Sequence, residues 1–280
     1  MKYFKKKLGI FLRKATKLRF ILAVAFLSVG TLVGIVFYFN MDPELMTKLS
    51  FYANLANPSV EIVRVQAGLR KEEVAEILTH KLNWTGADQS EFINAHLAMN
   101  MADQEGRYFP KTYLIHKDTE PSEVSAIMTD EFTKQLGKLK NTPSKSILNE
   151  DFILRIASII QREASGKEDM RLISGIIWNR IFDDMKLQMD ATLQYAKGSK
   201  EEGWWKKVSS EDKKIKSPYN TYMYKGLPPG AISSPGLSAI SAAYNPQKTS
   251  CIFYLHDKNR KIHCTKTYEE HQRNIEKYLK

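Results

Sequence analysis

Residues 151–165 read DFILRIASIIQREAS, and this stretch decides the arrangement of the C-terminal half of the chain. Four of its apolar side chains recur at the spacing of one buried helical face: Phe152, Ile156, Ile159 and Ile160. Glu163 extends that face, where burial should raise the pKa of its carboxyl, as a general acid working near neutral pH requires. The alternative is that Glu163 lies in the last helical turn and reaches solvent beside Arg162.

The N-terminal segment has the composition of a membrane anchor. Residues 1–19 hold eight basic side chains and no acidic one, and residues 20–39 carry no charge. Twenty helical residues span about 30 Å, the thickness of a bilayer core. A cleaved signal peptide would be shorter and would end in a small-residue site, which is absent before Asn40. The remaining alternative is a buried helix of a soluble protein.

Basic residues flanking an anchor stay in the cytoplasm, so the sequence predicts a single-pass protein of the cell inner membrane with a cytoplasmic N-terminus. Residues 40–280 would then be periplasmic or otherwise extracytoplasmic. Of the formal net charge of +11, eight units precede the predicted membrane segment, which leaves about +3 for the rest. Nucleic-acid binding needs a basic patch on the folded domain, so we expect no nucleic-acid partner.

The cysteines and histidines limit the chemistry of the external part. No cluster of His and Cys has the spacing of metal ligands, so the sequence predicts no metal site. The two cysteines, Cys251 and Cys264, flank a predicted hairpin made of residues 251–256 and 261–265. Whether they face each other depends on a strand register that the sequence does not fix, and a disulfide stays open at this point.

We predict an α+β protein with a small α/β module before a mixed α+β catalytic domain. The predicted divisions are a cytoplasmic tail, an anchor, a spacer, the module with its connection, and the catalytic domain: residues 1–19, 20–39, 40–57, 58–145 and 146–280. Residues 60–65 alternate as a strand, and residues 71–80 and 88–99 have helical spacing. This order resembles a LysM-like glycan-binding module, and a structural spacer domain is the alternative.

The sequence pattern of the rest of the module indicates its secondary structure less strongly. Residues 105–113 form a turn that leads into a strand, and residues 121–136 have the spacing of an amphipathic helix. Residues 137–146 are polar, with Pro143 and several lysines, and indicate a hinge before the catalytic domain.

Two segments after Glu163 combine polar side chains with a defined backbone. A helix predicted at residues 168–182 is followed by residues 185–195, whose alternation predicts a strand with Gln188 and Asp190 on its polar side. Such an edge suits hydrogen bonds to sugar hydroxyls and amides, although a half-exposed strand would also be polar on one side.

The loops at residues 217–222 and 226–232 contain Pro, Gly and aromatic residues, so we expect them to be rigid. Tyr219, Asn220 and Tyr222 could position a ligand there, and structural corners are the alternative.

These segments occur in the order seen in the YceG-like endolytic murein transglycosylases, which this chain resembles over about residues 60–275. The matching motifs are Ala157-Ser-Ile-Ile-Gln-Arg-Glu163, Trp178-Asn-Arg180, Leu187-Gln-Met-Asp-Ala-Thr192, Ser217-Pro-Tyr-Asn-Thr-Tyr222, Gly226-Leu-Pro-Pro-Gly230, Ser234-Pro-Gly236, Asn245-Pro246 and Thr267-Tyr-Glu-Glu-His271. The chain departs from the family pattern at Ala191, usually Pro, at Ser234, usually Asn, and at Ile262-His263-Cys264, where the family has His, one residue and an aromatic.

The resemblance implies that Glu163 is the catalytic residue of a peptidoglycan lytic transglycosylase. Glu163 would protonate the oxygen between MurNAc and GlcNAc and then deprotonate the 6-hydroxyl of MurNAc, leaving a 1,6-anhydro end. This chemistry calls for no metal and no organic cofactor. Five further residues are predicted to orient the glycan and shield the acid: Gln188, Asp190, Tyr219, Asn220 and Tyr222. The implied partners are peptidoglycan strands, which the enzyme would terminate or trim as they are made, and, by family analogy, the elongation synthases.

Two other functions fit the same residues. One is a non-catalytic, membrane-anchored protein that binds glycan or acts as a scaffold in the envelope. The other is a hydrolase that uses Glu163 with Asp190 as a carboxylate pair and leaves a reducing end.

Overall fold

The computed structural model describes Ser28, Gly30, Thr31 and residues 43–98, 103–139 and 149–280. The chain divides into one unit that ends at Pro58 and a second compact unit, Ser59–Lys280. In the first unit, helix α1 (Pro43–Leu55) occupies most of the predicted spacer. The predicted tail and anchor lie outside the described residues except for the three named above. No helix within the described ranges is long and apolar enough to cross a membrane.

The N-terminal part of the second unit is a small module of two strands and three helices: β1 (Val60–Arg64), α2 (Lys71–Leu82), α3 (Gly86–Ala98), β2 (Thr112–His116) and α4 (Pro121–Gly137). β1 and β2 pair antiparallel, with Val60 opposite His116 and Arg64 opposite Thr112. The predicted strands and helices are confirmed here. Most of the predicted hinge at residues 137–146 falls outside the described residues.

The module has its own apolar core, which supports the interpretation that it is a folding unit. The core side chains come from both strands, from all three helices and from the turn before β2: Val63, Val65, Val74, Leu78, Phe92, Tyr108, Ile115, Val124 and Met128. Phe92 and Tyr108 stack with their ring centroids 4.6 Å apart. The Tyr108 hydroxyl donates to the carbonyl of Phe92, so this buried phenol has its polar partner inside the core.

The C-terminal part contains five helices and a hairpin: α5 (Glu150–Glu163), α6 (Lys167–Phe182), α7 (Asp190–Lys197), α8 (Leu237–Tyr244), β3 (Phe253–His256), β4 (Ile262–Thr265) and α9 (Tyr268–Tyr278). Asn149 caps α5 by accepting hydrogen bonds from the amides of Asp151 and Phe152. α5 packs against α6 and α8, and Ile156, Ile159 and Ile160 are completely buried. The two helices predicted around Glu163 and Arg180 are therefore confirmed.

The predicted strand at residues 185–195 is wrong. Residues 185–189 form neither a strand nor a helix, and α7 begins at Asp190. Gln188 has φ 53°, in the left-handed region, which interrupts any regular strand. Leu187, Met189 and Leu193 are buried all the same, which accounts for the apolar alternation that predicted a strand.

The C-terminal hairpin has the register that the sequence left open. β3 and β4 pair antiparallel, with Phe253 opposite Thr265 and Tyr254 opposite Cys264. Cys251, just before β3, forms a disulfide with Cys264. The disulfide joins the two sides of the hairpin next to Tyr254.

The module and the C-terminal part are joined by paired backbone hydrogen bonds within the second unit. The Gly68 amide donates to the Ser234 carbonyl over 2.8 Å, and the Ser234 amide donates to the Leu69 carbonyl over 2.7 Å. Gly68 has φ 90°, a conformation that glycine adopts without steric cost. Arg162 Nη1 also donates to the Gly68 carbonyl over 3.2 Å. This seam fixes the module beside the C-terminal end of α5.

Candidate active site

Glu163 is the last residue of α5, and two other elements hold its carboxylate. Oε1 accepts a hydrogen bond from the Ala191 amide over 3.1 Å, and Oε2 accepts one from the Tyr254 hydroxyl over 2.7 Å. Ala191 lies in the first turn of α7, so the carboxylate faces the positive end of that helix. Three segments that are distant in sequence therefore meet at one side chain.

The protonation of Glu163 is set by opposing effects, of which burial is the largest. Burial raises the pKa of the carboxyl because it disfavours the charged form, while the hydrogen bonds from Tyr254 and Ala191 lower that pKa. Nearby Asp190 raises it further, and the net result is a pKa above the ordinary value for Glu. The group can thus hold a proton at a higher pH than an exposed carboxyl, and its charged form has two donors ready.

A polar cavity of about 370 Å³ opens onto Glu163. Its lining residues come from the ends of α5 and α6, the start of α7, the loop before Tyr222, the hairpin and α9: Glu163, Arg180, Gln188, Asp190, Lys213, Tyr222, Phe253, Tyr254, Tyr268 and His271. The Tyr222 hydroxyl donates to Asp190 Oδ1 over 2.6 Å. The volume falls within the range of small-molecule sites, so the cavity can take one substituted sugar.

Four of the six residues predicted from the sequence meet in this cavity: Glu163, Gln188, Asp190 and Tyr222. Tyr219 and Asn220 do not line it. Asn220 is completely buried and donates to the carbonyls of Lys213 and Ile215, while its Oδ1 accepts from the Tyr222 amide. The structure therefore shows Asn220 shaping the loop that carries Tyr222. Tyr219 packs on Tyr195, with ring centroids 4.7 Å apart.

Six lining residues were not predicted from the sequence: Arg180, Lys213, Phe253, Tyr254, Tyr268 and His271. Arg180, Tyr268 and His271 belong to motifs that were recognised, but nothing in those motifs showed which side chain faces the site. Tyr254 sat on a predicted strand with no signal that its hydroxyl reaches Glu163. Lys213 and Phe253 gave no signal at all, because only the fold brings them to the cavity.

A second cavity, of about 430 Å³, is apolar and lies beside Trp178, Phe182 and Tyr244. None of its lining residues is an acid, so it has no group for the predicted chemistry. Within the described part of the chain, no group of three or more His, Cys, Asp or Glu side chains could hold a metal ion. The absence of a metal from the reaction stays a prediction.

Comparisons with known proteins agree with the order of motifs. The model of the YceG-like family matches residues 38–277. A Bacillus subtilis (strain 168) protein named endolytic murein transglycosylase is 35% identical over 176 residues, which cover 62% of this chain and 48% of the relative. A protein of the same name from Streptococcus pneumoniae serotype 2 is 32% identical over 179 residues, which cover 62% of this chain and 32% of the relative.

A solved structure extends the likeness to the fold. The crystal structure of a YceG-like protein from Listeria monocytogenes superposes with a TM-score of 0.67 at 26% identity, over 83% of this chain and 81% of that one. The chain spans about half or less of the length of the curated relatives it matches. The family model nevertheless covers most of the chain, including both halves of the second compact unit. The chain therefore belongs to the YceG-like family.

Proposed function

We propose that this chain is a membrane-anchored endolytic lytic transglycosylase that cuts the MurNAc–GlcNAc bond of peptidoglycan and leaves a 1,6-anhydro-MurNAc end. One observation carries the proposal: Glu163 has a buried carboxyl of raised pKa that opens onto a polar, sugar-sized cavity. The names of the Bacillus and Streptococcus relatives support it. The strands that would be cut are nascent ones, which the enzyme would terminate or trim.

In the first step, the protonated Glu163 carboxyl gives its proton to the glycosidic oxygen. The bond between that oxygen and C1 of MurNAc breaks, and the leaving GlcNAc gains a hydroxyl. A raised pKa keeps Glu163 protonated for this step. Afterwards the carboxylate is stabilised in place by the Ala191 amide and the Tyr254 hydroxyl, so no rearrangement of the site is needed.

In the second step, the Glu163 carboxylate takes the proton of the 6-hydroxyl of the same MurNAc while O6 bonds to C1. The nucleophile is already attached to the reacting sugar, so attack is intramolecular and gains the corresponding entropic advantage. One carboxyl group can therefore serve as acid and then as base. Asp190, held by Tyr222, would orient the sugar through its hydroxyl or amide groups.

The assignment is tested by mass spectrometry of products from intact peptidoglycan with purified chain and the Glu163→Gln variant, which keeps the side-chain shape and removes the proton. Anhydro-muropeptides should appear with the unaltered chain and should be absent with Glu163→Gln. Glu105→Gln is a matched control, because Glu105 is another buried carboxyl but does not line the cavity. Undiminished anhydro product from Glu163→Gln would contradict the assignment. Absence of product from the unaltered chain as well as from both variants would favour a scaffold protein.

The competing hydrolase mechanism, with Asp190 activating water, is separated by running the reaction in water labelled with ¹⁸O. Hydrolysis puts the label at the new reducing end, whereas the lytic reaction gives an unlabelled product lighter by one water. Asp190→Asn should then lower the rate without changing the product. Labelled reducing ends from the unaltered chain would establish the hydrolase instead.

The proposal places residues 20–39 in the inner membrane as a single-pass anchor, with residues 40–280 outside the cytoplasm. The basic flank at residues 1–19 supports this orientation, as does the disulfide, since disulfides persist in oxidising compartments. A phosphatase reporter fused after Lys280 should be active only if that end is extracytoplasmic. An inactive fusion beside an active cytoplasmic reporter at the same site would reverse the topology.

We further propose that the module at residues 58–145 is LysM-like and binds glycan, and that the enzyme works beside peptidoglycan synthases. The β1–α2–α3–β2 order with an antiparallel β1–β2 pair supports the module assignment. The synthase partnership rests on the family likeness alone. Crosslinking of the intact protein in membranes, followed by identification of synthases, would test it, and recovery equal to that of an unrelated anchored protein would count against it.

A further inference from the structure

Arg180 is a buried cation that lines the cavity, and no carboxylate in the described part of the chain forms an ion pair with it. Arg180 is 5% exposed, and its Nε donates to the Ile252 carbonyl over 2.7 Å. Nη1 donates to the carbonyls of Leu187 and Lys186. Nη2 has no hydrogen-bond partner among the described residues. Backbone carbonyls hold this guanidinium, and burial lowers its pKa because a buried charge without an ion-pair partner is costly.

The groups around Arg180 do not neutralise it when substrate binds, because Glu163 is then protonated. The acidic groups that interact with it electrostatically are the hydroxyls of Tyr254 and Tyr222 and the carboxyl of Glu163. Burial raises the pKa of both tyrosines, so both are neutral, and Glu163 must be protonated to act as the acid. The bound substrate therefore faces a cation with a free donor.

Two further basic residues, His271 and Lys213, line the same cavity as Arg180. Arg180 Cζ lies 5.5 Å from the ring centroid of Phe253, which stacks on His271 with ring centroids 5.5 Å apart. His271 Nδ1 is buried and has no partner in the described structure. Lys213 is exposed near the Tyr222 ring, with Nζ 4.7 Å from the ring centroid. One free guanidinium nitrogen, one unpartnered imidazole nitrogen and one ammonium thus border the same space as Glu163.

We propose that Arg180, assisted by His271 and Lys213, binds a carboxylate carried on the 3-O-substituent of the MurNAc residue whose bond is cut. This inference rests on the proposed function and names what the site reads on its substrate. The 3-O-substituent and the scissile C1 belong to one sugar ring, so a cation beside the acid lies within reach of it. Guanidinium groups match the planar geometry of carboxylates and bind them with charge-assisted hydrogen bonds.

Two parts of peptidoglycan can supply this carboxylate. In strands without stem peptides, the lactyl group itself ends in a free carboxylate. In strands with peptides, that carboxyl is an amide, and the nearest anions are the carboxylates of the peptide. The chemistry of recognition is the same, so the experiment must separate the two sources.

The test compares two matched substrate pairs with the full-length protein in detergent. The first pair is peptide-free strands and the same strands with lactyl carboxylates converted to methylamides. The second pair is peptide-bearing strands and the same strands with peptide carboxylates amidated. We expect kcat/KM to favour the charged member of one pair by about tenfold or more, as a hydrogen bond to a charged group would give. The pair that shows the preference identifies the source.

Substitutions test whether Arg180, Lys213 and His271 cause the preference for charged strands. Arg180→Gln should reduce the charged-to-neutral ratio to about one, and Arg180→Lys should restore part of it. Because Arg180 also holds backbone carbonyls, Lys213→Gln and His271→Asn are tested in parallel and should each lower the ratio a few-fold. Lys214→Gln is the matched control, since Lys214 neighbours Lys213 and is exposed, but pairs with Glu211 outside the cavity.

The results separate this inference from the function on which it rests. Anhydro product formed at equal kcat/KM from charged and neutral strands overturns the carboxylate site and leaves the transglycosylase intact. A preference that survives Arg180→Gln, Lys213→Gln and His271→Asn also overturns it. Failure of the unaltered protein to form anhydro product from any strand contradicts the proposed function itself.

Discussion

Two buried glutamates in this molecule accept similar sets of hydrogen bonds but differ in their access to the polar cavity. Glu163 accepts hydrogen bonds from one backbone amide and from the Tyr254 hydroxyl. Glu105, between the module and α7, accepts them from two backbone amides and from the Tyr195 hydroxyl over 3.2 Å. Burial raises the pKa of both carboxyls, and that of Glu105 reaches about 8. By pKa alone, either could be the general acid.

Access distinguishes them. Glu163 opens onto the polar cavity, whereas Glu105 is 5% exposed and does not line that cavity. The amides that hold Glu105 belong to Lys71 and to Gly106, and the phenol comes from Tyr195 in the C-terminal part. Glu105 thus joins the two halves of the compact unit. A perturbed carboxyl marks an active site only where a substrate can reach it.

The largest expected difference between the two is in catalysis. Glu163→Gln should lower kcat/KM on peptidoglycan by about a thousandfold, within the usual contribution of a general acid. Glu105→Gln should leave kcat/KM within a few-fold of the unaltered chain. Rates are measured as anhydro-muropeptide release at one pH near neutrality. Equal losses in both variants would show that the two carboxyls act together.

The next effect is on stability against pH, and it belongs to Glu105. A carboxyl with a raised pKa in the folded state stabilises the protein most below its unfolded pKa, near 4.5, and this stability is lost as the pH rises toward about 8. Each unit of pKa difference is worth about 1.4 kcal/mol. Glu105→Gln should therefore be more stable than the unaltered chain at pH 9 by a few kcal/mol.

The measurement for Glu105 is the free energy of unfolding of the detergent-solubilised protein at pH 5 and pH 9. The fall between these values should be smaller in Glu105→Gln. Glu163→Gln should show a similar change in sign, since the pKa of Glu163 is also raised. An identical fall in Glu105→Gln and in the unaltered chain would mean that Glu105 is not a buried acid in solution.

Removal of the disulfide tests whether the hairpin affects Glu163 without affecting Glu105. It closes a loop of sequence separation 13, so replacing both cysteines with serine should cost about 3 kcal/mol of unfolding free energy. Activity should fall as well, because the hairpin carries Tyr254, while the alkaline loss of stability due to Glu105 should persist. An unfolding free energy within about 0.5 kcal/mol of the original would show that the hairpin is held by its other contacts.

A smaller effect is expected from Tyr254→Phe. The Tyr254 hydroxyl lowers the pKa of Glu163, so its removal should raise that pKa and move the alkaline limb of the pH–kcat/KM profile to higher pH. The rate at the optimum should drop about tenfold, because the carboxylate formed in the reaction loses a donor. A limb that stays in place or moves to lower pH would show that Tyr254 does not act on this carboxyl.

The smallest effect concerns Ala191, where the family usually has proline. Its amide donates to Glu163, and as the second residue of α7 it serves no bond within that helix. Ala191→Pro is tolerated in a first turn and should move the alkaline limb in the same direction as Tyr254→Phe but by a smaller amount, because the Ala191 amide lowers the pKa of Glu163 less than the Tyr254 hydroxyl does. Ala191→Gly keeps the amide and is the control. Equal shifts in both variants would assign the effect to packing.

Much of this site could be predicted locally, for reasons visible in particular residues. The period of Phe152, Ile156, Ile159 and Ile160 predicted both the helix and the burial of Glu163, because a helix face is set by spacing alone. The same kind of reasoning failed at residues 185–195. Gln188 adopts a left-handed conformation that no pattern of apolar residues encodes, and the predicted strand is an irregular segment followed by a helix.

The sequence by itself determined the helix that carries the acid, the α+β character, the hairpin and the family resemblance, because these depend on spacing and on short motifs. Only the tertiary structure decided which groups surround Glu163. The Ala191 amide and the Tyr254 hydroxyl contact its carboxylate, and Arg180 lines the same cavity, although these residues are far apart along the chain. It also decided that Glu105 is enclosed and Glu163 accessible. Access depends on how elements pack together, and no stretch of sequence contains that information alone.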